Sequence, residues 1–99
     1  MSLQSLSKFK KIAQDQYQIL DAINLTNVSS LLKEGQLLIT SHQNLNIDLS
    51  QASQSTSVAI ALMLQLLEEA KTHQVQLSFS DIPESIQALA KISNVADLI

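Results

Sequence analysis

Ninety-nine residues, 6 of them basic and 9 acidic for a net charge of -3, bound the chain to one domain, residues 1–99, with a single modest core. The negative balance argues against nucleic acid, which favours a basic stripe, and the lysines near the amino end (Lys8, Lys10, Lys11) are too few for a polybasic membrane anchor. The lack of cysteine excludes disulfides, thiol catalysis and thiolate metal sites, and it fits a reducing cytosol.

The amino-terminal stretch has no apolar segment of the signal-peptide kind. The longest apolar run, residues 58–64, is far short of a membrane span. A single Gly and a single Pro leave no Gly-rich phosphate loop and no flexible linker. Residues 9–13 read as a first strand with Phe9 and Ile12 as its apolar members, and Asp15-Gln16 as a turn. Tyr17, Ile19 and Ala22 alternate with Gln16, Gln18 and Asp21, which suits a second strand in a hairpin with the first. Asn24 or Thr26 can cap a helix. Val28, Leu31, Leu32, Gly35, Leu38 and Ile39 then fall on one helical face. Gly35 on that face predicts close backbone packing, with a helix break as the alternative reading.

Residues 41–44 read as a loop. Leu45, Ile47 and Leu49 alternate with Asn46 and Asp48 as a third strand, and a hydroxyl-rich loop over residues 50–57 follows. Residues 58–72 form the strongest helix pattern in the chain. Its first two turns are apolar nearly all round, so it must be covered on more than one side: by the sheet, and by a neighbouring helix or a partner protein. Val75, Leu77 and Phe79 give a fourth strand. Asp81 with Glu84 three residues on predicts an Asp variant of the capping box, with Pro83 in the first turn of a last helix. Ile82, Ile86, Leu89 and Ala90 share one side of that helix, and Asn94 ends it. The periodicity assigns nothing to residues 96–99. The order is β-β-α-β-α-β-α: an α/β (α+β-like) domain with a small mixed sheet of about four strands and helices mainly on one face.

The chain carries no catalytic constellation. His42 and His73, its only imidazoles, read as surface residues, His73 favourably placed at a helix carboxyl end. Glu68 and Glu69 point in different directions on a helix, and Asp81 with Glu84 is explained by capping, so neither pair reads as a glycosidase acid pair. No glycines of a nucleophile elbow surround any serine. Asn24-Leu-Thr26 matches a glycosylation sequon by accident in a chain without a secretion signal. What remains is Ser55-Thr56-Ser57 at the start of the strongest helix. A hydroxyl there caps the helix for about 1 kcal/mol. It also stands on a rigid element, where it can meet a partner or accept a phosphate.

The strand end Ile-Asp-Leu-Ser (residues 47 to 50), the hydroxyl-rich loop and the very apolar helix after it resemble the STAS domain. Within that family the helix residues 61–67 (Ala-Leu-Met-Leu-Gln-Leu-Leu), Ala70-Lys71 and residues 88–94 are most similar to the MlaB group, from about residue 45 to 96. The family's signature at this helix start is Asp, then Ser or Thr, a small residue and Gly. Thr56 stands at the Asp position, Ser57 at the hydroxyl position, Val58 and Ala59 after it, and no Gly follows.

The resemblance implies a STAS-type fold. It implies a non-catalytic, cytoplasmic subunit that binds and stabilises the cytosolic ATPase of a phospholipid-transporting ABC complex, which maintains outer-membrane lipid asymmetry. The subunit would lie peripheral to the inner membrane through the complex's permease. Its partner-binding residues would be Ser55, Thr56, Ser57, Val58 and Ile60. The resemblance implies no cofactor, metal, nucleic acid, membrane insertion or small-molecule substrate. The alternative is a regulator of the anti-sigma factor antagonist kind, with Ser57 as phosphoacceptor. The missing Asp weighs against that alternative, because the acid helps position the acceptor. A small-ligand domain is a third reading, but nothing in the sequence marks a polar pocket for it.

Overall fold

The computed structural model describes residues 7–20, 22–52 and 56–99. The elements are β1 (Phe9–Ala13), β2 (Gln16–Ile19), α1 (Val28–Ser41), β3 (Asn44–Asp48), α2 (Thr56–Thr72), β4 (Gln76–Ser80) and α3 (Glu84–Ile92), with a short 3-10 turn at Ala96–Leu98. This is the predicted β-β-α-β-α-β-α order, with the turn added where the periodicity was mute.

The four strands lie in sequence order, β1-β2-β3-β4. β1 and β2 pair antiparallel as a hairpin, while β2–β3 and β3–β4 pair parallel through the α1 and α2 crossovers. The hairpin turn falls at Gln14 and Asp15, one residue earlier than predicted, and Asp15 takes the left-handed conformation its short polar side chain tolerates. A bulge between Lys11 and Ala13 turns Ile12 outward, so this apolar member of β1 is exposed. Period-2 alternation then sorts the sheet's two faces. Tyr17, Ile19, Leu45 and Ile47 enter the core, with Leu77 and Phe79 packed against it. Gln16, Asn46, Ser78 and Ser80 lie on the other face. There Gln16 Nε2 donates to Asn46 Oδ1 (2.9 Å), Asn46 Nδ2 to Ser78 Oγ (3.0 Å) and Ser80 Oγ to Asn46 Oδ1 (2.9 Å).

The helices cover the apolar face. α2 is the central one, packed between α1 and α3. Its buried residues, Ala59, Ile60, Leu62, Met63, Leu66 and Ala70, spread over more than one face, as a helix enclosed by a sheet and two helices requires. The apolar surplus on this helix is therefore covered within the chain, by neighbouring helices. The α1–α2 contact is close because of Gly35: a Cβ built there would stand 2.6 Å from Leu66 Cδ2. Gly35 is buried inside an unbroken α1, so it serves packing and is not a break. Glu34, one residue earlier, accepts the Ser7 and Lys8 N–H groups (3.1 and 2.9 Å) and ties the start of β1 to α1.

The two helix starts differ in how they match expectation. Asn24 caps the approach to α1: its Oδ1 accepts the Thr26 and Asn27 N–H groups (2.9 and 3.1 Å), and its carbonyl accepts the Val28 N–H (3.0 Å). Asn27 Oδ1 returns a bond to the Asn24 N–H (3.0 Å), and Asn27 Nδ2 donates to the Ala22 carbonyl. This is a capping box in which both members are Asn. Asp81, in contrast, does not cap α3. Pro83 occupies the cap position with φ -54 and ψ 144, and no side-chain bond is made from it. Asp81 takes a left-handed conformation two residues before that cap, separated from it by Ile82, which the proline biases to an extended form, and so stands too far back to reach the first turn. Gln87 instead reaches back, its Nε2 donating to the Ile82 carbonyl at 2.8 Å.

Two stability measurements check this account. Gly35→Ala gains about 1 kcal/mol of helix propensity but forces Leu66, fully buried, against its neighbours. Overpacking of this kind costs about 1–3 kcal/mol, so the variant unfolds at lower denaturant. In a Leu66→Ala background the same change becomes neutral or stabilising; equal effects in both backgrounds would disprove the close-packing role. Asn24→Ala lowers stability by about 1 kcal/mol and Asn24→Ser by clearly less, read by urea melts of both.

Candidate functional site

The corner singled out by the sequence lies at the carboxyl end of the parallel strands, where β3 passes into α2. Asp48 closes β3 and is 8% exposed, the one buried charged residue among those described. Its Oδ1 accepts the Ser50 N–H at 2.7 Å, a local Asx turn. Leu49 N–H donates to the Ser80 carbonyl (3.0 Å) and Ala52 N–H to the Leu49 carbonyl (3.1 Å). Gln18 Nε2 donates to Ser50 Oγ (3.3 Å) from the end of β2. The first half of the loop is thus tied to three strands. Of the residues that build these tethers, Asp48 and Ser50 belong to the corner that the sequence singled out, and Gln18 does not. The Asp-x-Ser spacing was the signal available for the turn; the Gln18 bond depends on strand register and had none.

The site residues then separate. Ser55 lies outside the described residues. Thr56 begins α2 and is half-buried, Ser57 is exposed on the first turn, and Val58 is half-buried. Ile60 is turned into the core and is 8% exposed, so it contributes packing and offers almost no surface to a partner. The reason is periodic: three residues after Ser57, position 60 has rotated toward the core. Ala61, one residue later, is exposed in its place. No acid occupies the first turn of α2, and Lys71 stands in its last. The dipole's partial positive charge at the amino end is therefore not offset by an acidic side chain in that turn, which favours an anion or a hydrogen-bond acceptor beside Ser57.

Both imidazoles stand at the opposite end of the sheet. His42 and His73 border the same shallow surface as Asn44, Gln74 and Gln76, at the amino ends of β3 and β4. A five-residue strand of about 17 Å separates that end from Ser57, so neither can serve it as a base. His42 is not the surface residue expected: its ring meets Tyr17 edge-on at 5.4 Å between centroids, and its Nδ1 donates to the Leu38 carbonyl at 2.7 Å. His73 pairs with Glu69 across one turn at 3.6 Å. Glu69 also accepts from Gln36 Nε2 at 3.2 Å, while Asp81 and Glu84 flank Pro83 without sharing a site. Among the described residues no group of three His or carboxylate side chains is placed to hold a metal ion. No described helix is long and apolar enough to cross a membrane.

No protein-family model matches this chain. No curated protein matches it in sequence. Among solved structures it is similar to the anti-sigma factor antagonist SpoIIAA in its unphosphorylated form, with a TM-score of 0.67 over 90% of this chain and 81% of that one, at 8% identity. Likeness at that identity speaks for the backbone alone, and with the mixed four-stranded sheet and its helix layer it shows that the chain has the STAS fold.

Proposed function

We propose that this protein is a non-catalytic STAS subunit that docks through the amino end of α2 on the cytosolic ATPase of a phospholipid-transporting ABC complex, stabilising a machine that maintains outer-membrane lipid asymmetry. The observation that carries the docking surface is Ser57: an exposed hydroxyl on the first turn of a helix packed between the sheet, α1 and α3. Such a side chain is held in place at no further ordering cost, which suits recognition by a second protein. The choice of partner rests on the resemblance of residues 45–96 to the MlaB group. In this reading the chain reaches the membrane only through the ATPase and its permease, and it touches no lipid itself.

A second reading, a phosphorylation-switched regulator, draws support from the fold it shares with an anti-sigma factor antagonist. Ser57 would be the acceptor, and the α2 amino end would tolerate the phosphate. Thr56 in place of the acid that accompanies that hydroxyl in the family ranks it behind the first.

The two readings part in one experiment. Tagged wild-type protein, Ser57→Ala and Ser57→Glu are used for affinity purification from the native cell, with mass spectrometry of the captured proteins and of Ser57. The first reading expects an ABC ATPase and its permease with wild type, several-fold less with Ser57→Ala, and at least a tenfold loss, about 1.4 kcal/mol, with Ser57→Glu. An acid in the first turn of a helix favours folding by about 0.3–1 kcal/mol, so unchanged or raised thermal stability of Ser57→Glu excludes unfolding as the cause. Recovery of a protein kinase together with phosphate on Ser57 would instead establish the second reading and end the first.

A further inference from the structure

The two edges of the sheet are built differently. The β1 edge carries exposed Lys10 and Lys11 and is broken by the bulge before Ala13. Charge and irregularity of this kind keep an edge from pairing with another strand. The β4 edge has neither. Its sequence is Gln-Leu-Ser-Phe-Ser, and its register with β3 runs without a slip from Gln76 to Ser80. Gln76 N–H donates to the Gln43 carbonyl, and the Ser80 carbonyl accepts from Leu49 N–H. In a parallel ladder a residue's N–H and C=O point the same way and alternate along the strand. Residues 76, 78 and 80 therefore bond β3, and the N–H and C=O of Leu77 and Phe79 face outward. Among the described residues no strand lies beyond β4.

This outward row is complementary to itself. Turned about an axis through Ser78, an antiparallel copy sets Leu77 opposite Phe79 and Phe79 opposite Leu77. These are the residues with free backbone groups, so they form the hydrogen-bonded pairs, four bonds in all. Ser78 meets Ser78 of the second copy, and Gln76 meets Ser80, on the polar face. Leu77 and Phe79 are half-buried and lie on the helix side. Beside Phe79 is a cleft of about 470 Å³ lined by Phe79, Ile82, Ala90 and Ile99 and by the polar side chains of Asp81, Gln87 and Lys91. Leu77 of the second copy would stand against Phe79 at the mouth of that cleft. With the axis normal to the sheet, the helix layers of both copies stay on one side, and the polar Gln/Asn/Ser faces join on the other.

We propose that β4 pairs antiparallel with β4 of a second copy of this chain, centred on Ser78, which joins two four-stranded sheets into one. The interface is isologous, as a two-fold pairing requires, and it is separate from the Ser57 surface.

The chain has no cysteine, so single introduced cysteines report the register cleanly. Ser78→Cys places two thiols at a non-hydrogen-bonded pair, where Cα atoms stand about 4.5 Å apart, within disulfide reach. The expected result is a disulfide-linked dimer on mild oxidation of Ser78→Cys, none from Gln76→Cys or Ser80→Cys alone, and a linked heterodimer when those two are mixed. Sedimentation equilibrium of the wild type is expected to rise from 10.9 kDa toward twice that mass between micromolar and millimolar concentration. Ser78→Lys, which sets like charges face to face at an exposed position, stays monomeric with unchanged circular dichroism. A wild type that is monomeric throughout, equal cross-linking from all three single cysteines, or a Ser78→Lys protein that still dimerises would each overturn the proposal.

Discussion

The close approach of α1 to α2 at Gly35 and Leu66 is the constraint on which the arrangement depends. With no Cβ at position 35, α1 settles against the isobutyl group of Leu66, and α2 is drawn into the middle of the helix layer. A side chain there would meet the Leu66 methyls and force them against a core in which Leu31, Leu38, Ile39 and Met63 are fully enclosed. In a chain of 99 residues with only three aromatics, the core is built from small aliphatic groups. Such a core gains its stability from dense contact, because each pair of atoms contributes little alone. One glycine on the interior face of one helix thus sets the spacing of the layer.

The position of Ser57 follows from that spacing. Because α2 is flanked on both sides and lies over the sheet, few of its surfaces remain open: an outer strip with Ala61, Gln65 and Glu68, and the first turn with Ser57. The loop that leaves β3 is tethered at its start, where Asp48, Leu49 and Ser50 bond to their surroundings.

The sheet shows the same economy. One face is committed to the core, and the other carries a lattice of amides and hydroxyls with Asn46 bonded across to both neighbouring strands. Side chains that bond one another across strands hold register without apolar cover. A sheet can therefore stay open on one side without exposing grease. That the same backbone is adopted by SpoIIAA at 8% identity indicates how few positions such an architecture specifies: the strand alternation, the crossover order, and room for the helices to meet.

Strand and helix order was legible in the sequence because both rest on periodicity, and burial of one face per element imposes that periodicity directly. The period-2 runs at Tyr17/Ile19, Leu45/Ile47 and Leu77/Phe79, and the helical stripe through Gly35, were readable for this reason. The ends of elements were less so. Asp81 was a plausible cap by spacing, but Pro83 holds the backbone extended and leaves its carboxylate out of reach. The chemistry of individual side chains depended on partners distant in sequence. His42 became a packed residue because Tyr17 comes to lie beneath it, and Ile60 left the candidate surface because the helix rotates it inward. The sequence by itself determined which elements form, in what order, and that an apolar central helix must be covered. The tertiary structure alone decided that the cover comes from α1 and α3, that both histidines stand a strand's length from Ser57, and that among the described residues no strand lies beyond β4, since each of these is a relation between segments that only folding brings together.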